Sequence, residues 1–214
     1  MTTIDCTFIG VGSEGELSRS MFCDFFPETQ YLEHPQWWKD ADIGPGGSAG
    51  LRHKFNKGIH RSYQFDPEMV FLIGSDDFYP RSMFAPSDAD LIGGAAGQDG
   101  GLFFWQYGSL DEAWYWDGKS SGLDLIGGCL GFSTRLLDAY GWMPFQWEGD
   151  EAGVVRNITA DDRWTIEPRA RCWGWHPKTG RTLNSLQRVM AWHDLTAAPR
   201  DEVDGWLAYW DSLA

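Results

Sequence analysis

Met69-Val70-Phe71-Leu72-Ile73-Gly74-Ser75-Asp76-Asp77 is the stretch on which the fold turns. Five apolar residues in unbroken succession, followed at once by glycine, serine and two carboxylates, describe a strand buried on both faces that runs out at a sheet edge. Working outward, Leu51 to Tyr63 just upstream carries helical apolar spacing. Thr3 to Val11 is apolar and β-branched, and it gives way through Gly-Ser-Glu-Gly to a helical pattern over residues 17–22. Tyr31-Leu32-Glu33 is a short strand candidate, and residues 34–50 are too rich in Pro and Gly to be anything but a long loop for most of their length. Strand and helix alternate, which favours an α/β layer fold with a mainly parallel central sheet flanked by helices.

Downstream, Leu91-Ile92-Gly93-Gly94, Leu102 to Tyr107 and Glu112 to Trp116 read as strands. Ser133 to Tyr140 reads as a short helix with Ser133 as its N-cap, Asp150 to Arg156 as another helix, and Arg200 to Ser212 as an amphipathic one. With no repeat, low-complexity tract or linker in 214 residues, the chain is read as a single domain. Lys and Arg total 17 against 31 Asp and Glu, a formal charge of −14 that repels nucleic acid and anionic lipid. No apolar run reaches the ~18 residues of a membrane span, and the first residues lack a signal-peptide pattern, so the expectation is a soluble, cytoplasmic protein. Four dispersed cysteines without CxxC spacing fit reduced thiols and no zinc ribbon. The 13 tryptophans supply core area and flat surfaces suited to sugars.

Two constellations carry chemistry. In open α/β sheets ligands bind beyond the carboxyl ends of strands, so Asp76 and Asp77 stand where a hard divalent cation and a phosphorylated ligand meet; the alternative is an Asx turn that merely closes the strand. A second Asp-x-Asp, Asp88-Ala89-Asp90, precedes an apolar run and so lies at the wrong end of a strand. The other constellation is Gly127-Gly128-Cys129-Leu130-Gly131-Phe132-Ser133 with Glu148-Gly149-Asp150-Glu151 after it. Small residues let a ligand approach the backbone, and an acid after a loop can serve as a general base; a tight turn and a solvated helix start are the plainer readings.

The order of these motifs, IGVGSEG at 9–15, LRHKFNKG at 51–58, VFLIGSDDFYP at 70–80, GGCLGFSTRLLDAYGW at 127–142 and WEGDEAGVVRN at 147–157, resembles the GT-A fold nucleotide-sugar-dependent glycosyltransferases, particularly the inverting kind. The resemblance covers about residues 4–157. It implies a Rossmann-related domain whose first half, residues 1–90, binds the donor and whose second, 91–214, holds the acceptor side and a C-terminal helix. It further implies that Gly12, Ser13 and Glu14 line the nucleoside pocket, with Lys54 and Asn56 near the nucleotide. Asp76 would face the ribose or donor sugar and Asp77 would ligate Mn²⁺ or Mg²⁺. The base would be Asp150 or Glu151, since Gly-Asp-Glu here stands where the family has Glu-Asp; Asp150 is favoured because, after Gly149, it begins the helix as the family's acid does. His176, in Trp173-Gly174-Trp175-His176-Pro177, is a candidate late metal ligand.

The activity so implied is transfer of a sugar from a nucleoside-diphosphate sugar to a hydroxyl of a glycan, small molecule or protein, with inversion. Residues 34–50 and the Trp-rich segment 164–175 are the candidates to close over donor or acceptor. Three other readings stand beside it: a nucleotidyltransferase that makes nucleotide sugars, although Gly10 to Gly15 lacks the basic residue such a loop wants; a carbohydrate-binding module suggested by the tryptophans; and a transferase fold that binds without turnover.

Overall fold

A computed structural model describes residues 48–73, 79–85, 87–97, 101–106, 109–119, 122–146, 151–170, 174–178 and 186–211. Helix α1 (Ser48–Ser62) is followed by strand β1 (Met69–Ile73). A short 3-10 turn (Arg81–Phe84) leads to β2 (Leu91–Ala95), β3 (Leu102–Gln106), β4 (Ser109–Trp116) and β5 (Leu125–Ser133). Helices α2 (Thr134–Ala139) and α3 (Glu151–Thr159) precede β6 (Ile166–Arg169) and β7 (Gly174–Lys178). Helix α4 (Leu186–Trp192), a two-residue β8 (Thr196–Ala197) and α5 (Arg200–Asp211) complete the described chain. The strand and loop expected over residues 3–47 lie outside the described residues.

The helices at 51–63, 150–156 and 200–212 form within a few residues of where the spacing puts them. All five residues of β1 are buried, as an apolar run of that kind requires. Ser133 caps α2 as its position predicts, its hydroxyl accepting from the Leu136 amide at 3.1 Å.

The sheet polarity differs from expectation. The central sheet has the order β1-β5-β2-β6, and of its three pairings only β2 with β6 is parallel, so the sheet is mixed instead of mainly parallel. The reason lies in the glycine run. Gly127 to Ser133 is not a turn but most of β5, threaded antiparallel between β1 and β2. Glycine is tolerated there because β1 crowds it: a Cβ on Gly131 would lie 2.5 Å from the Phe71 ring. The strands β1, β2 and β6 still point the same way, and β5 alone opposes them. A second four-stranded sheet, β7-β3-β4-β8, was not anticipated; it is also mixed, with only β3 and β7 parallel.

Alternate residues of the central sheet feed two cores. Val70, Leu72, Leu91, Leu130 and Phe132 pack under α1, α2 and α3 through Phe55, Ile59, Leu136, Leu137, Val154, Val155 and Ile158. Met69, Phe71, Ile73 and Ile92 face the other way, onto Tyr79, Met83, Phe84 and the second sheet's Phe103, Phe104 and Trp116. Helices therefore cover one face, and an irregular strap with a second sheet covers the other. Among the described residues, no helix is long and apolar enough to cross a membrane.

Candidate functional site

The register fixes which chain ends meet. Ile73 at the end of β1 is opposite Cys129, Ala95 at the end of β2 is opposite Leu125 at the start of β5, and Gly94 is opposite Arg169 at the end of β6. Three carboxyl ends therefore share one edge of the central sheet. Asp76 and Asp77 follow β1 by three and four residues, and lie outside the described residues, as do Gly12, Ser13, Glu14 and Asp150.

Glu151 is the first residue of α3 and is half-buried. The helix ends beside the start of β6, because only residues 160–165 join the two, and Val154, Val155 and Ile158 fasten it to the sheet. At 1.5 Å per residue its first turn is carried about 12 Å back along its axis from that end, where the exposed amides of the helix start favour an anion.

Asn56, expected near the nucleotide, bonds the backbone of Phe145 through both ends of its side-chain amide. Its side-chain Nδ2 donates to the Phe145 carbonyl and its Oδ1 accepts from the Phe145 amide, both at 2.9 Å. The Phe145 ring meanwhile packs on Phe55 at 5.1 Å. Helix α1 thereby grips the chain a few residues ahead of Asp150 and Glu151. That chain leaves α2 through two successive left-handed residues, Gly141 and Trp142, both with φ near 60°. The strain of the tryptophan is offset by its indole N–H donating to Asp138 at 2.8 Å. Lys54 lies on α1, one residue before the buried Phe55. His176 lies on β7, in the second sheet, opposite Phe104.

The strap between β1 and β2 is pinned at this same edge. Tyr79 and Met83 are buried, and Phe84 meets Phe71 edge-on at 5.2 Å. Arg169, 7% exposed, donates from Nη1 to the Ser82 and Met83 carbonyls at 3.1 and 2.6 Å and from Nη2 to the Ala85 carbonyl at 2.7 Å. Its Nε bonds Glu167 at 2.8 Å, and Glu167 accepts a further bond from the Ser87 hydroxyl. Burial opposes charge on Glu167, but the bonds from Ser87 and Arg169 and the guanidinium's own charge outweigh it, and the carboxyl is held below its usual range. The sequence marks residues 164–175 only as a Trp-rich segment that could cover the ligand; the one local sign of this pair is the period of two from Glu167 to Arg169, which puts both on one face of a strand.

The other Asp-x-Asp behaves as its position implied. Asp90 immediately precedes β2 at the opposite edge and is 1% exposed. It accepts from the Ser133 hydroxyl (2.9 Å), Arg135 Nε (2.9 Å), the Thr165 amide (2.9 Å) and the Thr165 hydroxyl (2.8 Å), with a second bond from Arg135. Burial alone would raise its pKa, but these donors together pull it down to about 2. A carboxylate so fully subscribed has little left for a metal. Among the described residues no group of three or more His, Cys, Asp or Glu is gathered as a metal site.

No protein-family model matches the chain. No curated protein matches it either. Among solved structures, it is similar to a mannosyltransferase from Pyrobaculum calidifontis in complex with GDP-Man and Mn²⁺, with a TM-score of 0.50 and 10% identity over 82% of this chain. The chain spans 57% of that enzyme's length. It also aligns with the inositol-1-phosphate CTP transferase from T. maritima, at a TM-score of 0.40 and 9% identity over 86% of this chain and 74% of that one. At such identity the mannosyltransferase likeness is one of fold, an α/β architecture of GT-A type with a mixed sheet, and function has to be argued from the site.

Proposed function

We propose that the chain is a metal-dependent glycosyltransferase that moves a sugar from a nucleoside-diphosphate sugar to an acceptor hydroxyl, with inversion. The observation that carries the reading is the shared edge where β1, β2 and β6 end, with the Asp76-Asp77 pair following directly on the buried β1 in a GT-A-like fold. Carboxylate oxygens are the donors a hard cation takes, so the donor set suits Mg²⁺ or Mn²⁺ and not a thiolate-bound metal. When bound, such a cation supplies neutralisation of the charge that builds on the departing diphosphate.

The chain's own residues do the rest. Asp77 is the cation ligand, with His176 as a second, and Asp76 orients the ribose or donor sugar. Gly12, Ser13 and Glu14 hold the nucleoside from the N-terminal side. Lys54 meets the nucleotide's charge, and Asn56, with one amide hydrogen beyond its bonds to Phe145, faces the nucleotide while it holds the segment that leads to the base. Asp150 or Glu151 takes the proton of the acceptor hydroxyl as that oxygen attacks, and the position of Glu151 at the start of α3 supports an anion there. The reading has the enzyme work in the cytoplasm, on a glycan, small-molecule or protein acceptor.

A ligand that binds only the folded chain raises its apparent stability, so a thermal-shift screen against nucleoside diphosphates and their sugars, with Mn²⁺ and with chelator, tests the proposal. The expected result is a metal-dependent shift for one nucleotide that is lost in Asp77→Ala. No shift with any nucleotide would overturn the reading and turn attention to glycans and the tryptophans.

A further inference from the structure

Among the described residues, two that are not glycine hold a left-handed backbone: Asp66, with φ 47°, and Trp142, with φ 60°. A bulky side chain avoids that region, and where it persists there the surroundings enforce it. Both outliers serve one pair of rings. Asp66 closes the 3-10 turn Tyr63–Phe65 that follows α1, its amide donating to the Tyr63 carbonyl at 3.2 Å. Trp142 is fixed by its own amide, which donates to the Leu137 carbonyl at 2.7 Å, and by its indole N–H, which donates to Asp138 Oδ1 at 2.8 Å. The rings of Tyr63 and Trp142 then meet edge to face, 5.1 Å apart.

Trp142 belongs to the core under the helices, but Tyr63 does not. It is 63% exposed, more than any other large apolar side chain among the described residues. A ring held so firmly and left in water is a surface already ordered for a ligand, at little further cost in entropy. The bare ring amounts to roughly 100–150 Å², far short of the ~800 Å² that each partner gives to a protein interface. Polar groups rim it: Asp138 hangs on the same indole with its Oδ2 unbonded, and the Tyr63 hydroxyl makes no bond within the protein. A flat apolar face with a carboxylate and a phenol beside it matches a pyranose ring, whose C–H face stacks while its hydroxyls donate and accept at the rim.

The position of the pair adds a length. Trp142 meets Tyr63 and Phe145 meets Asn56, so the segment between them runs back along α1 over seven residues, about 10 Å. Tyr63 stands at the end of α1 that leads into the start of β1, and β1 extends about 15 Å from there to its carboxyl end. A ligand that reached both places would be a chain of several sugars.

We propose that Tyr63, backed by Trp142 and Asp138, is a glycan-binding platform that holds a sugar ring of an oligosaccharide acceptor away from the edge where transfer occurs. That the bound glycan is an acceptor rests on the transferase reading; the platform itself rests on the described contacts.

Calorimetric titration of the whole protein, without nucleotide or metal, tests it with maltohexaose, cellohexaose, mannohexaose and chitohexaose as probes. The expected result is binding of at least one of the four, with a Kd raised tenfold or more in Tyr63→Ala and kept within threefold of the parent in Tyr63→Phe, which retains the ring. Tyr63→Leu, which still covers the indole but has no flat face, is expected to lose affinity as alanine does. Affinity retained in Tyr63→Ala, affinity restored by Tyr63→Leu, or no binding of any probe would overturn the proposal. A thermal shift with a nucleoside diphosphate and Mn²⁺ is read alongside and is expected to be the same in Tyr63→Ala and the parent. If the protein binds a hexasaccharide through Tyr63 and no nucleotide, the transferase reading falls and the platform stands; a nucleotide bound with no hexasaccharide gives the reverse.

Discussion

Among the described residues, the two edges of the central sheet each bury one ion, and they use it in opposite ways. Asp90, at the start of β2, is an anion served by side chains and an amide from β5, α2 and the approach to β6, so it fastens regular elements to one another. Arg169, at the end of β6, is a cation served by the carbonyls of an irregular strap, so it fastens a segment that has no ladder of its own. The edge that locks the fold can afford saturation; the edge that is proposed to work on a ligand needs non-repetitive chain held in place by something other than strand pairing. The contrast frames the proposal that the Asp76-Asp77 pair serves a ligand, whereas Asp90 is spent on the fold.

That contrast yields graded predictions. The largest effect belongs to Asp77→Ala, which should lower transferase turnover by roughly a thousandfold, equivalent to several kcal/mol of lost charge stabilisation, while the thermal midpoint stays near the parent's. Asp90→Ala should do the reverse: it strands the Thr165 donors and the Ser133 hydroxyl, costing about 3 kcal/mol in urea unfolding, with turnover per folded molecule retained. If Asp90→Ala abolished turnover without loss of stability, the division between the edges would be wrong.

Acid provides a subtler probe. The Asp90 pKa is depressed from an ordinary 3.8 to about 2, so its share of stability is complete above pH 3.8 and drains away as the pH falls towards 2. The loss amounts to about 2 kcal/mol, and Asp90→Asn should flatten the stability profile over that window in a urea series at stepped pH. The smallest effect is expected for Ser133→Ala, about 1 kcal/mol from the lost cap of α2 and the lost bond to Asp90. A value near zero would mean that Arg135 and Thr165 alone sustain the node.

Much of this was legible in the sequence, and the failures have physical causes. Apolar runs and helical spacing marked β1, β2, β3, α1, α3 and α5 because burial imposes those periods directly. The cap at Ser133 was legible for the same local reason. Strand direction was not, since polarity is a property of pairings between β1 and β5 about sixty residues apart, and glycines at 127, 128 and 131 look locally like a turn. The dismissal of Asp88 and Asp90 as a metal motif followed from their position before a strand, whereas Asp90's partners Arg135 and Thr165 could not be foreseen from spacing. Arg169 was invisible because nothing in Ile-Glu-Pro-Arg says which carbonyls will come to it. Asn56 is associated with a nucleotide only through resemblance, and its bonds to Phe145, 89 residues away, could not be foreseen from spacing.

The place of β5 also bears on how the sheet assembles. Strands β1 and β2 are consecutive in the sequence, but they do not touch through backbone hydrogen bonds; each is bonded to β5, which separates them. On the ribosome, a nascent chain that has not yet reached residue 133 therefore carries two fully apolar strands whose shared partner does not exist. Sheet formation must wait for the later segment and then close two long loops at once, a high-contact-order step that slows folding and exposes apolar edges meanwhile. Translation speed across residues 95–133 should thus govern the yield of folded chain more than speed anywhere earlier in the described region.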